Sequence, residues 1–243
     1  MAEQVTPYGT SGGSKKQQVA RMFDNIALRY DFLNRFLSFG IDRYWRSSAI
    51  RELRHDKPKL LLDIATGTAD VALTAMKLHP EKIFGVDISE EMLEIGRKKV
   101  RSKGLSDKIE LLAGDSEKLI FDDNKFDAVT VAFGVRNFER LQEGLREIHR
   151  VLRPGGKLVV LEFSHPNNPV IRSLYDFYST RITPSLGKMI SKDPSAYTYL
   201  HESIRAFPSG QAFLDELNKA GFVSTTARPM TFGVVSVYCG IKA

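Results

Sequence analysis

A single cysteine, Cys239, excludes any internal disulfide and any cysteine metal cluster by count. It lies inside the apolar run Val234 to Ile241, where a small buried core residue is the expected role rather than a nucleophile. No apolar stretch approaches the roughly 20 residues needed to span a bilayer. Met1 to Gln18 is rich in Gly, Ser, Thr, Lys and Gln and lacks the apolar core of a secretory signal. It reads as a flexible terminus, and the expected compartment is the cytoplasm. Formal charge is +6 and the isoelectric point about 9.3, yet the basic residues are spread over Arg51 to Lys59, Arg97 to Lys108 and Arg146 to Lys157 without a dense block or interleaved aromatics. That pattern is a solvated surface rather than a nucleic-acid site, although it permits attraction to anionic lipid headgroups. His, Asp and Glu show no metal-ligand spacing, and no metal is expected.

What is present is organised around Leu60-Leu61-Leu62-Asp63-Ile64-Ala65-Thr66-Gly67-Thr68-Ala69-Asp70. An apolar run ends in an acid, a turn with one glycine follows, and a helical pattern comes next, as at a strand-to-helix turn of an open α/β sheet. Gly67 has no Cβ to block a ligand, and the first amides of the next helix are unpaired. A dinucleotide fingerprint needs three glycines against a pyrophosphate, whereas this turn has Ala69 where a second would stand. The expected ligand is a nucleoside without phosphates.

The pattern then alternates, with strands at Leu60–Ile64, Ile83–Asp87, Ile109–Ala113, Ala128–Ala132 and Lys157–Glu162, and helices at Asp70–Leu78, Glu90–Lys103 and Leu141–Arg150. Such βαβ units make an α/β fold with a mainly parallel sheet and helices on both faces. Arg153-Pro154-Gly155-Gly156 reads as the turn from helix to strand. Residues 165–208, rich in proline and aromatics including Tyr175, Phe177, Tyr178, Tyr197, Tyr199 and Phe207, read as a small helical cap able to enclose an apolar substrate. Helix Gly210–Ala220 and strands Val223–Ala227 and Val234–Ile241 close the chain, the strands forming an antiparallel edge hairpin. One domain over 19–243 is expected, after the terminus 1–18. Its first part, Val19 to Trp45, is one or two amphipathic helices. Within it Tyr30 is either a ligand contact or a structural hydrogen-bonding group.

Asp87 ends the second strand about 20 residues past the turn, the interval at which an acid accepts from a ribose diol. Asp115 and Ser116, after the third strand, stand where a carboxylate or an amide reads an adenine edge. Taken singly, each acid is equally a helix cap.

The order Asp63 to Asp70, then Gly85-Val86-Asp87-Ile88-Ser89, then Ala113-Gly114-Asp115-Ser116 resembles a class I S-adenosylmethionine methyltransferase of Rossmann-like fold. Two longer stretches, Tyr30 to Trp45 and Arg150 to Ser164, together with Phe133-Gly134-Val135-Arg136-Asn137 and Ala196 to Pro208, resemble the ubiquinone/menaquinone C-methyltransferases of the UbiE/MenG type. The resemblance covers nearly everything after the first 20 or so residues. It implies S-adenosylmethionine contacts at Thr68, Asp87, Asp115 and Ser116, and methyl transfer to a ring carbon of a reduced, polyprenylated quinone, with demethylmenaquinol favoured over the benzoquinol of the ubiquinone pathway. Arg136 and Asn137 then become candidates for stabilising the phenolate or orienting water, since Arg stays protonated. The competing duty for Arg136 is a salt bridge to a helix acid. His201 is the one histidine worth testing as a proton acceptor. A polyprenyl tail implies peripheral contact with the inner face of a membrane through the cap and first helices, and a homodimer rests only on the frequency of dimers among soluble enzymes.

Two residues depart from the family pattern, Asp42 where a His is frequent and Ala69 in the cofactor turn. They leave open a quinone- or lipid-binding module without catalysis. The other competing readings are a different S-adenosylmethionine enzyme acting on a small molecule or RNA and, against the missing glycines, a nicotinamide dehydrogenase.

Overall fold

The computed structural model describes residues 5–9, 12–166, 168–177, 193 and 195–243. Five runs rich in leucine and β-branched residues become parallel strands: β1 (Leu60–Ile64), β2 (Lys82–Asp87), β3 (Ile109–Ala113), β4 (Phe126–Ala132) and β5 (Leu152–Phe163). Two further strands, β6 (Phe222–Met230) and β7 (Val235–Lys242), form a hairpin with β7 seated between β5 and β6, antiparallel to both. The order is β3-β2-β1-β4-β5-β7-β6. The chain leaves β1 toward β2 on one side and later returns to β4 on the other, so a crevice opens beyond the carboxyl ends of β1 and β4.

Because successive strand residues face opposite ways, Leu61 and Leu62 enter different cores. Leu62, Val129 and Val160 pack with helices α5 (Leu141–Val151) and α8 (Gln211–Lys219) through Leu145, Ile148, Phe213 and Leu217. On the other face Leu61, Ile83, Ala128 and Val159 meet helices α2 (Asp42–Arg51), α3 (Asp70–Ala75) and α4 (Glu90–Ser102) through Trp45, Ala72 and Leu93. Cys239 lies in this second core, and burial pushes its thiol up to about 11.

The amphipathic segment is two helices, because Phe39 and Gly40 take left-handed φ of +51° and +77° after α1 (Lys15–Leu37). The first starts at Lys15 rather than Val19, since Ser14 accepts from the Gln17 amide and the Gln17 side chain reaches back in a capping box. Gln18, within the stretch expected to be flexible, accepts from the Tyr8 amide at 2.7 Å and donates to the Gly9 and Gly13 carbonyls at 2.9 Å each.

Arg153-Pro154-Gly155-Gly156 departs from expectation. β5 already pairs at Leu152 with Phe126, and pairing resumes at Lys157 with Ala128, so these four residues bulge within the strand rather than precede it. Similarly β6 runs on to Met230, which shortens the expected connection to Thr231–Gly233. Of the cap, helices α6 (Pro169–Phe177) and α7 (Ser195–Ala206) are seen. Residues 167, 178–192 and 194, Tyr178 among them, lie outside the described residues, as do the side chains of Tyr175, Phe177 and Tyr197.

Candidate active site

The turn after β1 is built on strained backbone. Ala65, Gly67 and Ala69 all take left-handed φ, of +52°, +53° and +65°. For an alanine that conformation costs about 1 kcal/mol, and Asp63 helps hold it by accepting from the Thr66 and Thr130 hydroxyls at 2.6 Å each. A Cβ at Gly67 would meet nothing within 4 Å, because this face of the turn borders open space. That space is a cleft of about 670 Å³ lined by Gly67, Asp87, Asp115, Ser116, Tyr30 and Asn137.

Asp87 closes β2 inside the cleft. Its Oδ2 accepts from the Gly67 amide at 2.7 Å and its Oδ1 from the Ser89 amide at 2.9 Å, which leaves each oxygen a further lone pair. Burial pushes its carboxyl up to about 6, and Asp63 is raised to about 6 for the same reason. At the far rim Lys16 donates to Asp115 Oδ2 at 2.5 Å, while Glu117 accepts from the Glu139 and Arg140 amides at 2.7 and 2.9 Å. The donor set suits S-adenosylmethionine: a paired acid for a diol, a polar rim for a base, and a turn with no Cβ in the way.

Beside the cleft is a larger chamber of about 1590 Å³, mostly apolar, walled by α1, α2, α7 and the turn after β4. Tyr30, Phe23 and Phe133 line both cavities. Arg136, in a 3-10 turn (Val135–Asn137), lines the chamber and donates from Nη1 to Glu162 Oε1 at 2.8 Å and to the Phe133 carbonyl at 2.6 Å. Its Nε is buried with no acceptor among the described residues. Glu162 is fully buried in β5, and that burial raises its carboxyl above the usual range even though Arg136 pulls the other way. The Tyr199 hydroxyl donates to Asn137 Oδ1 at 3.1 Å, which fixes the amide beside the cleft. Lys15 donates to the Arg136 and Phe138 carbonyls at 3.1 and 2.9 Å, so the first turn of α1 clamps this segment. Burial, with the Arg136 charge second, pushes the Lys15 ammonium down to about 8.

The structure therefore gathers Gly67, Asp87, Asp115, Ser116, Asn137 and Tyr30 around one cleft, and Arg136 and His201 around the adjoining chamber. Thr68 stands apart. Its hydroxyl donates to Asp31 at 2.6 Å and accepts from Lys99 at 2.9 Å, so it holds the turn from behind instead of lining the cleft. Arg136 does form a salt bridge, but its partner is a strand acid, not the helix acid considered from the sequence. Asp42 lines the chamber, accepting from Ser38 Oγ at 2.9 Å and paired with Arg46 at 2.5 Å, and Arg46 in turn lies 3.4 Å from Asp70 behind the cofactor turn. Five participants escaped sequence reasoning. Glu162 carried a signal, a lone acid in the apolar run Leu158 to Phe163. Tyr199 was named only as a cap aromatic, while Lys15, Lys16 and Glu117 carried none.

A seven-stranded sheet with its last strand reversed, and a cleft over the turns after β1, β2 and β3, are those of a class I S-adenosylmethionine methyltransferase. The fold is shared with a Thermotoga maritima SAM-dependent methyltransferase at a TM-score of 0.63 and 20% identity, covering 92% of this chain and 99% of that one. A model of the ubiE/COQ5 methyltransferase family matches residues 11–242, and the chain belongs to that family. It is 47% identical to a demethylmenaquinone methyltransferase of Bacteroides fragilis, over 99% of this chain and 98% of the relative. It is 43% identical to a ubiquinone/menaquinone biosynthesis C-methyltransferase of Geotalea daltonii, over 94% and 97%.

Proposed function

We propose that the enzyme moves a methyl group from S-adenosylmethionine to a ring carbon of demethylmenaquinol, giving menaquinol. The carrying observation is the pair of cavities: a small cleft holding Asp87, an acid bonded to backbone amides, beside a large, mostly apolar chamber lined by the Arg136 side chain. A quinol oxygen against the Arg136 guanidinium would meet a cationic donor, and the chamber has room for a naphthalene ring and the first units of a prenyl chain. The name of the Bacteroides fragilis relative points to the same substrate.

In this reading Gly67, Asp87, Asp115 and Ser116 hold the nucleoside, with Thr68 fixing the turn. When bound, S-adenosylmethionine supplies an electrophilic sulfonium methyl. Arg136, locked by Glu162, stabilises negative charge as the quinol hydroxyl ionises and pushes electron density onto the neighbouring carbon. The carbon's new bond to the methyl would replace the methyl's bond to sulfur; the ring hydrogen would then leave as a proton and the oxygen regain one from solvent, restoring the aromatic quinol with one proton released overall. Asn137 and Tyr30, facing the cleft, orient the ring for in-line attack. The enzyme works peripherally at the cytoplasmic face of the membrane that carries its substrate. No helix among the described residues is long and apolar enough to cross it.

The name of the Geotalea relative covers both pathways, which makes a polyprenyl benzoquinol the second reading. The test is transfer of labelled methyl to demethylmenaquinone and to the demethylated benzoquinone, each with and without a chemical reductant. Product from the reduced naphthoquinol alone supports the first reading. Product from both reduced quinols extends the substrate range, and product from neither, with cofactor bound, overturns both.

A further inference from the structure

Helix α1 has two working faces. Its inner face supplies Met22, Phe23, Ile26, Tyr30, Leu33 and Leu37 to the chamber wall. Its outer face, which an ordinary surface helix fills with polar groups, carries Leu28, Phe32 and Phe36, exposed by 88%, 58% and 44%. These recur every four residues and form one ridge, with the Phe32 and Phe36 rings stacked at 5.9 Å. The acids of the helix are turned elsewhere: Asp24 accepts from Ser89 Oγ at 2.6 Å, and Asp31 pairs with Lys99 at 2.5 Å, both toward α4. Arg35 on α1 and Arg43 at the start of α2 are exposed, and neither makes an ion pair with any described residue. A bulky apolar ridge beside cations, with the acids drawn away, is the composition of an interfacial helix on an anionic bilayer.

Continuity with the site adds direction. Phe39, just past the end of α1, lines the chamber and is 88% exposed, which places the chamber's mouth at that end of the helix. We infer that the outer face of α1, through Leu28, Phe32, Phe36, Arg35 and Arg43, docks on the headgroup and upper acyl region of an anionic lipid bilayer, so that the chamber opens into the membrane surface. A prenyl chain leaving the chamber then passes into lipid instead of water. This use of the mouth rests on the quinol reading above, whereas docking itself does not.

The test is flotation of the full chain with vesicles of equal parts phosphatidylcholine and phosphatidylglycerol, and with phosphatidylcholine alone. The expected result is binding that favours the anionic vesicles and weakens at high salt. Leu28→Gln/Phe32→Gln/Phe36→Gln should lower binding about tenfold or more, and Arg35→Gln/Arg43→Gln should remove the preference for anionic lipid. Both variants should keep the wild-type melting temperature and the turnover of a short-tailed, water-soluble demethylmenaquinol. Absence of wild-type binding, or equal binding by the triple variant, overturns the inference. So does a concentration-dependent dimer in light scattering that the triple variant abolishes while vesicle binding persists, which would make the ridge an interface between copies. Loss of vesicle binding in the triple variant, with no quinol methylated by the wild type, would sustain docking and sink the substrate reading alone.

Discussion

The two cavities share three side chains yet are assembled in opposite ways. The small cleft is floored by turns that follow β1, β2 and β3, so its acids stand at strand ends, and Asp87 is held by backbone amides such as that of Gly67. The large chamber is walled by helices, α1 and α2 against α7, and its charges are met by other side chains, Arg136 by Glu162 and Asp42 by Arg46. In the proposed reading, the strand ends would hold the cofactor and the helix-walled chamber would take the bulky quinol.

Breaking the chamber's charge pair should have the largest effect. Arg136→Ala leaves Glu162 buried and unpaired, so we expect a loss of about 3–5 kcal/mol in stability and a fall in turnover of about a hundredfold or more. Arg136→Lys should keep most of the stability while still losing turnover, which kcat at saturating cofactor against melting temperature would show. Next, Asp87→Asn should weaken cofactor binding by about 10- to 100-fold through lost charge-assisted hydrogen bonds. The KM for the quinol should hold, as read by titration of S-adenosylhomocysteine beside steady-state kinetics. The mirror experiment is Leu200→Trp, which fills the chamber and should raise the quinol KM about tenfold with cofactor affinity intact. A variant that moved both constants together would break the division of labour.

The smallest effect is a pH dependence confined to the cleft. Asp87 is protonated below about 6, and its ionised form accepts a diol's two hydroxyls more strongly than its acid form, so cofactor affinity should fall a few-fold as pH drops through about 6. Asp87→Asn should flatten that profile. Stability should run the other way: with Asp63 and Asp87 both raised from 3.8 to about 6, the folded chain binds more protons than the unfolded one over that interval. Stability should then decline as pH rises from about 4 to 6, measurable by denaturant midpoints.

The same contrast explains what the sequence revealed. The cleft's turns are marked by an apolar run, a glycine and an acid at fixed intervals, so Gly67, Asp87, Asp115 and Ser116 could be named from the sequence, and they do line one cleft, whereas the strand order came only from the fold. The chamber depends on which helices meet, and no pattern in Val19 to Trp45 announces that Leu33 packs against Tyr199. Arg136 and Asn137 were found through family resemblance, while the partners that fix them, Glu162, Lys15 and Tyr199, are known only from the fold. Thr68 was taken as a cofactor contact from the family resemblance. Its hydroxyl nevertheless turns to Asp31 and Lys99, a choice set by helices α1 and α4 rather than by the turn. The bulge at 153–156 was missed because Pro and Gly signal a break in either a turn or a strand.

The most direct test of the division between the cavities is a crystal structure with S-adenosylhomocysteine and a demethylmenaquinone analogue bound together. The account predicts the ribose hydroxyls on Asp87, the base beside Asp115 and Ser116, and the quinone ring in the chamber with an oxygen against the Arg136 guanidinium. A nucleoside seated in the larger chamber, or a quinone ring excluded from it, would contradict the account.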